Sequence, residues 1–200
     1  MNDPYDIRRI VFTYRSYTPI PFLILMVLFA RPTAASMAGG FLIVLLGEAI
    51  RFWGVSIAGS ETRTTGAVGG TFLITNGPFA FVRNPLYLGN MLIYAGIGVM
   101  SLALFPGLFL ISCGWFALQY FLIVTREEEY LADRFGDAYG EYRRVVPRFI
   151  PRITPFSASR PPEKSVDLRE GLLSERRTLQ AIGIVVSLLL LIFAFRSAGG

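Results

Sequence analysis

The sequence predicts an all-α integral membrane protein, with about five transmembrane helices and a cytoplasmic amphipathic helical segment after the fourth. Its 200 residues are 53% hydrophobic and only 16% charged, which is a composition typical of membrane proteins. Apolar stretches near the length of a bilayer span recur along the chain, and basic residues gather beside them. A net charge of +5 is therefore better explained by membrane topology than by nucleic-acid binding.

Five apolar stretches account for the predicted spans. The longest uncharged run, residues 84–125, is long enough for two helices at about 1.5 Å per residue, with Phe105-Pro106-Gly107 as the turn between them. The expected spans cover residues 16–31, 34–58, 86–105, 107–125 and 178–196.

These spans divide the chain into three parts. We expect a membrane core over residues 1–154, a linker over 155–177 and an extra C-terminal transmembrane helix over 178–196. The linker contains the stretch SASRPPEKS, which is typical of an irregular connection.

Residues 126–154 form the predicted cytoplasmic segment. Phe135, Tyr139, Tyr142 and Val146 recur at helical spacing, which predicts one apolar face that lies along the interface or covers a cavity. The segment is rich in arginine, whereas the turn near Pro106 is uncharged, so the positive-inside rule places residues 126–177 in the cytoplasm.

Two ionisable residues fall inside the second predicted span. Glu48 and Arg51 are three residues apart and so share one helix face. Ionisable groups at membrane depth are candidates for function, but a pairing of these two with each other near the interface is the favoured interpretation.

The composition also excludes several chemistries. The chain has no histidine and a single cysteine, Cys113, so His-dependent triads, most zinc and iron sites and an internal disulfide are excluded. We expect no metal cofactor. Any chemistry must use carboxylates, arginines, tyrosines, backbone groups and a bound cosubstrate.

The stretch FVRNPLYLGN, residues 81–90, meets the glutamate run Glu127-Glu128-Glu129 at the cytoplasmic end of the predicted hairpin. A purely structural role would have Asn84 cap the helix, Pro85 occupy its first turn and Arg83 reach lipid headgroups. Alternatively, a helix start with an arginine attracts a carboxylate, and glutamates opposite accept from hydroxyls or an ammonium. S-adenosylmethionine carries all of these groups.

These motifs resemble a known family. The segments GPF at 77–79, RNPLYLGN at 83–90, the glutamate pair at 127–128 and FGDAYGEYRRVVPRFIP at 135–151 are similar to those of the membrane methyltransferases related to isoprenylcysteine carboxyl methyltransferase and phospholipid N-methyltransferase. The resemblance covers residues 40–153 and leaves the final span outside. It implies an enzyme that uses S-adenosylmethionine as methyl donor, in a pocket closed by the C-terminal amphipathic segment.

The resemblance also implies residue roles. Catalytic roles fall to three residues, Asn84, Tyr87 and Glu127. Asn84 stands where many members carry histidine, and asparagine cannot titrate. The expected cofactor-binding residues are Gly77, Pro78, Arg83, Pro85, Gly89, Glu128, Tyr139, Tyr142 and Arg148.

The expected acceptor is a membrane lipid or another small apolar molecule, of the isoprenylcysteine carboxylate or phospholipid amine type. It is expected to enter the site from the bilayer. The expected location is a multi-pass membrane protein with its active site facing the cytoplasm, in the inner membrane if the source is bacterial. Two other functions stay open at this point: a non-catalytic transport or assembly subunit, and a membrane reductase using a nicotinamide cofactor. The sequence does not decide the oligomeric state.

Overall fold

The structure is a computed structural model that describes residues 7–59, 72–157 and 165–198. Within these ranges the chain is helical and contains no strand, which confirms the predicted all-α class. Residues 60–71, and residues 158–164 of the predicted linker, lie outside the described residues. The helices are α1 (Ile7–Tyr14), α2 (Pro19–Leu28), α3 (Ala34–Ala58), α4 (Pro85–Ser101), α5 (Gly107–Val145) and α6 (Leu168–Ala198), with a short 3-10 helix at Gly77–Ala80.

Of the described helices, α3, α5 and α6 are long and apolar enough to cross a membrane, and α2 and α4 are shorter apolar helices. Many of their large apolar side chains are exposed, including Leu46, Leu118 and Leu191. Such surface is stable when it faces lipid rather than water. The five apolar helices correspond to the five predicted spans, and the chain is an integral membrane protein.

Local sequence sets several helix boundaries. Thr33 and Ser36 form a reciprocal capping box at the start of α3, which satisfies backbone N–H groups that have no helical partner. Pro85 occupies the first turn of α4, where its missing N–H costs nothing. α6 begins at Leu168, so residues 168–177 of the predicted linker are helical.

Helices α3 and α4 pack unusually closely because glycines face each other at intervals of seven residues. A Cβ added at Gly47 would lie 2.7 Å from the carbonyl oxygen of Gly89, and one added at Gly96 would lie 2.7 Å from that of Gly40. Small residues let helix backbones approach in this way. The contact fixes α4, and with it the residues at its start, against the end of α3.

The long helix α5 changes character twice. Its apolar part, up to Thr125, lies within the membrane-spanning portion, and its charged part begins at Arg126. Gly136 then interrupts the helix with φ 51°, a conformation that glycine adopts without the cost a Cβ would bring. The last turns therefore run in a new direction and bury Tyr139 and Tyr142 together with Val146.

Candidate active site

A cavity of about 850 Å³ lies where one end of α3, α4 and α6 meets α1 and the charged part of α5. This volume is in the range of pockets that hold small organic ligands. Its wall combines arginines and carboxylates with aromatic rings. The lining includes Phe12, Arg15, Arg51, Arg83, Asn84, Pro85, Tyr87, Asn90, Tyr94, Tyr120, Glu127, Glu128, Tyr139, Tyr142, Glu175 and Thr178.

Backbone hydrogen bonds hold the segment before α4 against the segment after α5. The N–H of Arg83 donates to the carbonyl oxygen of Pro147 at 2.9 Å, and the N–H of Arg152 donates to that of Phe81, also at 2.9 Å. The hydroxyl of Tyr142 donates to the carbonyl oxygen of Phe79 at 2.7 Å. The two motifs are far apart in sequence, yet these bonds make them one wall of the cavity.

Glu128 is the central charge of this wall. Its carboxylate is buried and bridges two arginines, with Oε2 at 2.6 Å from Nη2 of Arg148 and Oε1 at 3.2 Å from Nη2 of Arg83. The amide nitrogen of Asn84 lies 3.5 Å from Oε1 of Glu128 and donates to the carbonyl oxygen of Arg148 at 3.2 Å. A paired, hydrogen-bonded carboxylate of this kind fixes the position of the groups around it.

Three donor atoms of two residues beside this carboxylate have no hydrogen-bond partner among the described residues. Nε and Nη1 of Arg83 and the hydroxyl of Tyr139 are buried without a hydrogen bond in the structure, and both residues line the cavity. Burial raises the pKa of Tyr139 to about 12, so its hydroxyl keeps its proton at neutral pH. Because buried polar groups are normally hydrogen-bonded, these atoms point to a ligand that offers acceptor oxygens.

The first glutamate of the run, Glu127, serves a different part of the cavity. The hydroxyl of Tyr87 donates to Oε1 of Glu127 at 2.6 Å. The ring of Tyr87 lies 5.0 Å from that of Tyr120, so the pair is set in an aromatic wall. The third glutamate, Glu129, is exposed and binds Arg8 at 2.7 Å.

A further charged cluster lies deeper along α3 and α4, and it corrects one sequence-based interpretation. Glu48 and Arg51 do not pair with each other. Nη2 of Arg51 binds Oε1 of Glu175 on α6 at 2.7 Å, and Nη1 binds Oδ1 of Asn90 at 2.7 Å. Both carboxylate oxygens of Glu48 are buried without a hydrogen-bond partner, because the guanidinium of Arg51 is taken up by α6 and α4.

The structure brings most of the sequence-predicted site residues together. Arg83, Asn84, Pro85, Tyr87, Glu127, Glu128, Tyr139 and Tyr142 line the cavity, and Arg148 reaches it through Glu128. The other three lie at helix contacts outside the lining: Gly77 beside Trp53 and Ile57, Pro78 near Gly54, and Gly89 against Gly47 and Arg51. The roles assigned to all of these residues stay predictions.

Sequence reasoning missed several lining residues. Arg51 carried a signal, as an ionisable residue inside an apolar span. Asn90 ends the motif RNPLYLGN at 83–90 but was given no role. Tyr94 and Tyr120 carried no signal, since aromatic residues inside a span are common. Glu175 gave no signal because it precedes an apolar stretch, where a charged residue is ordinary.

Fold and site together define an integral membrane protein with a polar cavity at one end of its helices, walled by arginine, carboxylate and aromatic side chains. The family model for phospholipid methyltransferases matches residues 35–138, just over half of the chain. The chain belongs to this family of membrane methyltransferases, which confirms the resemblance drawn from the motifs.

Three curated relatives are similar to parts of the chain. The cobalt-zinc-cadmium resistance protein CzcN of Cupriavidus metallidurans is 36% identical over 58% of this chain and 49% of its own length. The nickel-cobalt-cadmium resistance protein NccN of Alcaligenes xylosoxydans xylosoxydans is 30% identical over 62% of this chain and 54% of its own. The protein-S-isoprenylcysteine O-methyltransferase of Schizosaccharomyces pombe is 41% identical over 40% of this chain and 34% of its own.

The chain thus spans about half the length of the curated resistance proteins it matches. No solved structure matches it. In the described part of the chain, no three His, Cys, Asp or Glu side chains come together as metal ligands.

Proposed function

We propose that this protein is an S-adenosylmethionine-dependent methyltransferase that acts in the membrane on a lipidic or small apolar acceptor. Its family supports methyl transfer. The observation that carries the proposal is the buried arginine–carboxylate–arginine bridge of Arg83, Glu128 and Arg148, with unpartnered donors of Arg83 and Tyr139 beside it.

The residues present fit the proposed methyl donor. Arg83 offers free N–H groups to a carboxylate, and a guanidinium matches a carboxylate in both charge and geometry. Tyr139 adds a neutral hydroxyl donor. Aromatic rings of Tyr87 and Tyr120 give the cavity faces that suit a cationic centre. When bound, S-adenosylmethionine supplies an electrophilic methyl group on a sulfonium.

The chain's own contribution is mainly alignment and exclusion of water. Helices α3, α4 and α6 and the segment after Gly136 surround the cavity, and such enclosure orients reactants and strengthens polar contacts. An acceptor with a carboxylate nucleophile needs no base. An acceptor that must lose a proton finds a carboxylate in Glu127, whose position is held by the hydroxyl of Tyr87 at 2.6 Å.

The acceptor is proposed to enter from the bilayer, because the outer faces of α5 and α6 are apolar and exposed. The relative from Schizosaccharomyces pombe is named for methylation of isoprenylcysteine, which supports an amphiphilic acceptor here. The arginine-rich segment after α5 supports a cytoplasmic active site, and the location that we propose in a bacterium is the inner membrane.

The test uses purified protein in detergent and S-adenosylmethionine labelled in its methyl group. We expect binding of the product S-adenosylhomocysteine and transfer of label to a component of a total membrane-lipid extract. Arg83→Gln should reduce both, whereas Arg152→Gln, which changes an arginine that binds Thr154 outside the cavity, should reduce neither. A folded wild-type protein that neither binds the nucleoside nor transfers label would overturn the proposal.

A further inference from the structure

The C-terminal helix α6 begins against the end of α3. The N–H of Asp167 donates to the carbonyl oxygen of Ser56 at 2.7 Å, and a Cβ added at Gly171 would collide with the side chain of Ser56. Asp167 then caps the helix through the N–H groups of Arg169 and Glu170, at 2.9 Å each. The first turns of α6 are therefore docked on the core rather than loosely attached, although the family match ends at residue 138.

One turn further along, Glu175 enters the cavity wall. Its side chain is 1% exposed, and that of Arg51 is 14% exposed. Both oxygens of Glu175 contact Nη2 of Arg51, at 2.7 and 3.0 Å, and Nη1 of Arg51 binds Asn90. A single guanidinium thus links α3, α4 and α6.

A buried ion pair of this kind contributes little to the net stability of a fold. Removing two charges from water costs several kcal/mol, roughly what their attraction returns, and well-packed apolar residues often do as well. Ionisable groups at membrane depth usually mark a functional path. Arg51 also keeps one buried donor, Nε, without a partner, and the residue lines the cavity.

The pair lies at a different level from the bridge at Glu128. Asn84, the N-cap residue of α4, and Asn90 within the helix are six residues apart, which is about 9 Å along a helix. The cavity therefore has two polar levels: one at the start of α4, and one a turn and a half deeper, where α6 forms the wall beside the bilayer.

We propose that Arg51, positioned by Glu175, recognises the polar headgroup of the methyl acceptor through a headgroup oxygen of a carboxylate or phosphate. This inference rests on the proposed methyltransferase function. Arg51 is then a specificity-determining residue, and Glu175 is a positioning residue that acts through it. The polar level at the start of α4 then binds the methyl donor.

The experiment compares full-length wild type, Glu175→Gln and the swapped double variant Arg51→Glu with Glu175→Arg. Arg176→Gln is the matched control, since Arg176 is exposed on the same helix. Two acceptor probes separate the oxygen sources: a farnesylated N-acetylcysteine for a carboxylate and phosphatidylethanolamine for a phosphate. The measurements are the Kd for S-adenosylhomocysteine, the KM and kcat for the methylated probe, and Tm.

For Glu175→Gln we expect the Kd for S-adenosylhomocysteine to stay within about 2-fold of the wild-type value. The KM for the acceptor should rise about 10-fold, and kcat should change less. This pattern is expected when the lost interaction binds the acceptor equally in the ground state and in the transition state. The swapped variant should regain thermal stability, because the ion pair is restored. Its KM for the acceptor should stay raised, because its guanidinium is carried by α6 and no longer by α3. Arg176→Gln should match wild type in all four measurements.

A purely structural pair would give a swapped variant with wild-type KM, and that result overturns the proposal even if Glu175→Gln does not fold. An equal loss of donor affinity and acceptor affinity in Glu175→Gln would also overturn it, since the pair would then serve the donor. Wild type that binds S-adenosylhomocysteine but methylates neither probe would overturn the assigned acceptor chemistry. Wild type that binds no S-adenosylhomocysteine would instead refute the proposed function itself.

Discussion

Replacement of Glu128 by glutamine tests the charge at the centre of the site. The substitution keeps the shape of the side chain but removes the negative charge that bridges Arg83 and Arg148. Glutamine can accept from one arginine through its oxygen, but its NH₂ group then faces the other. The side chain of Arg83 is only 10% exposed, so bulk water replaces the lost partner poorly.

The structure sets the expected size of this effect. A hydrogen bond to a charged group contributes about 1.5–3 kcal/mol, and one of the two arginine contacts is lost. Both oxygens of Glu128 are already engaged by arginines, so its effect on a ligand passes through the position of Arg83. We expect the affinity for S-adenosylhomocysteine to fall by roughly 10- to 150-fold, the equivalent of about 1.5–3 kcal/mol.

The assay is calorimetric titration of S-adenosylhomocysteine into monodisperse protein, with Tm measured on the same samples. Glu129→Gln is the matched control, since Glu129 is the next residue, is 56% exposed and pairs with Arg8 on the surface. Exposed pairs contribute only about 0–1 kcal/mol, so this variant should keep its affinity. Arg148→Gln should weaken binding in the same direction as Glu128→Gln, because Arg148 holds the carboxylate of Glu128.

The reasoning is refuted if folded Glu128→Gln binds S-adenosylhomocysteine as tightly as wild type, or if Glu128→Gln and Glu129→Gln lose affinity equally. Either result would mean that the bridge stabilises the fold and does not position a ligand-binding group.

Three further predictions concern turnover, packing and pH. Tyr87→Phe removes the donor to Glu127 and should lower kcat about 10-fold or more, while the affinity for S-adenosylhomocysteine stays within about 2-fold. The control Tyr14→Phe changes an exposed tyrosine and should leave both kcat and affinity unchanged. Equal kcat values in the two variants would contradict the role of Tyr87. Gly47→Ala places a Cβ 2.7 Å from a carbonyl oxygen of α4 and should cost about 1–3 kcal/mol of stability, seen as a lower Tm. The control Gly114→Ala, with open space around it in the interior of α5, should melt no lower than wild type, because alanine favours a helix more than glycine does. The pKa of Tyr139 in the folded state is about 12, above about 10 in an unfolded chain, so its ionisation favours unfolding, and stability present below pH 10 should be lost as the pH rises towards 12. Tyr139→Phe should show a smaller loss of Tm over that interval, and equal losses would count against a buried hydroxyl.

The positions of the motif residues near the ends of helices could be predicted from the sequence. Arg83, Asn84 and Pro85 mark the start of α4, and Glu127 and Glu128 follow the last apolar residues of α5. An antiparallel hairpin must bring these two ends together, whatever the details of packing. Their position at the same end of the hairpin therefore follows from span length and turn position, whereas the cavity wall that they share depends on the backbone hydrogen bonds to the segment after α5.

The partners of the buried charges could not be predicted from the sequence in the same way. Glu48 and Arg51 share a helix face, which favours their pairing, yet Arg51 binds Glu175, 124 residues away in sequence. Local spacing cannot predict such a partner, because it depends on how α6 docks against α3. The position of Gly89 is a similar case, since only the facing glycine on α3 shows that a close helix contact is made there.

What the sequence by itself determined is the membrane class, the helical content, the family and the charged motifs at one end of the hairpin. These follow from apolar runs, glycine and proline positions and local charge, all of which act over a few residues. Only the tertiary structure decided that Glu128 bridges two arginines, that Arg83 and Tyr139 keep unpartnered donors, and that α6 supplies a buried glutamate to the cavity. The physical reason is that a buried charge takes whichever opposite charge the packing places beside it, and packing joins residues that are far apart in the chain.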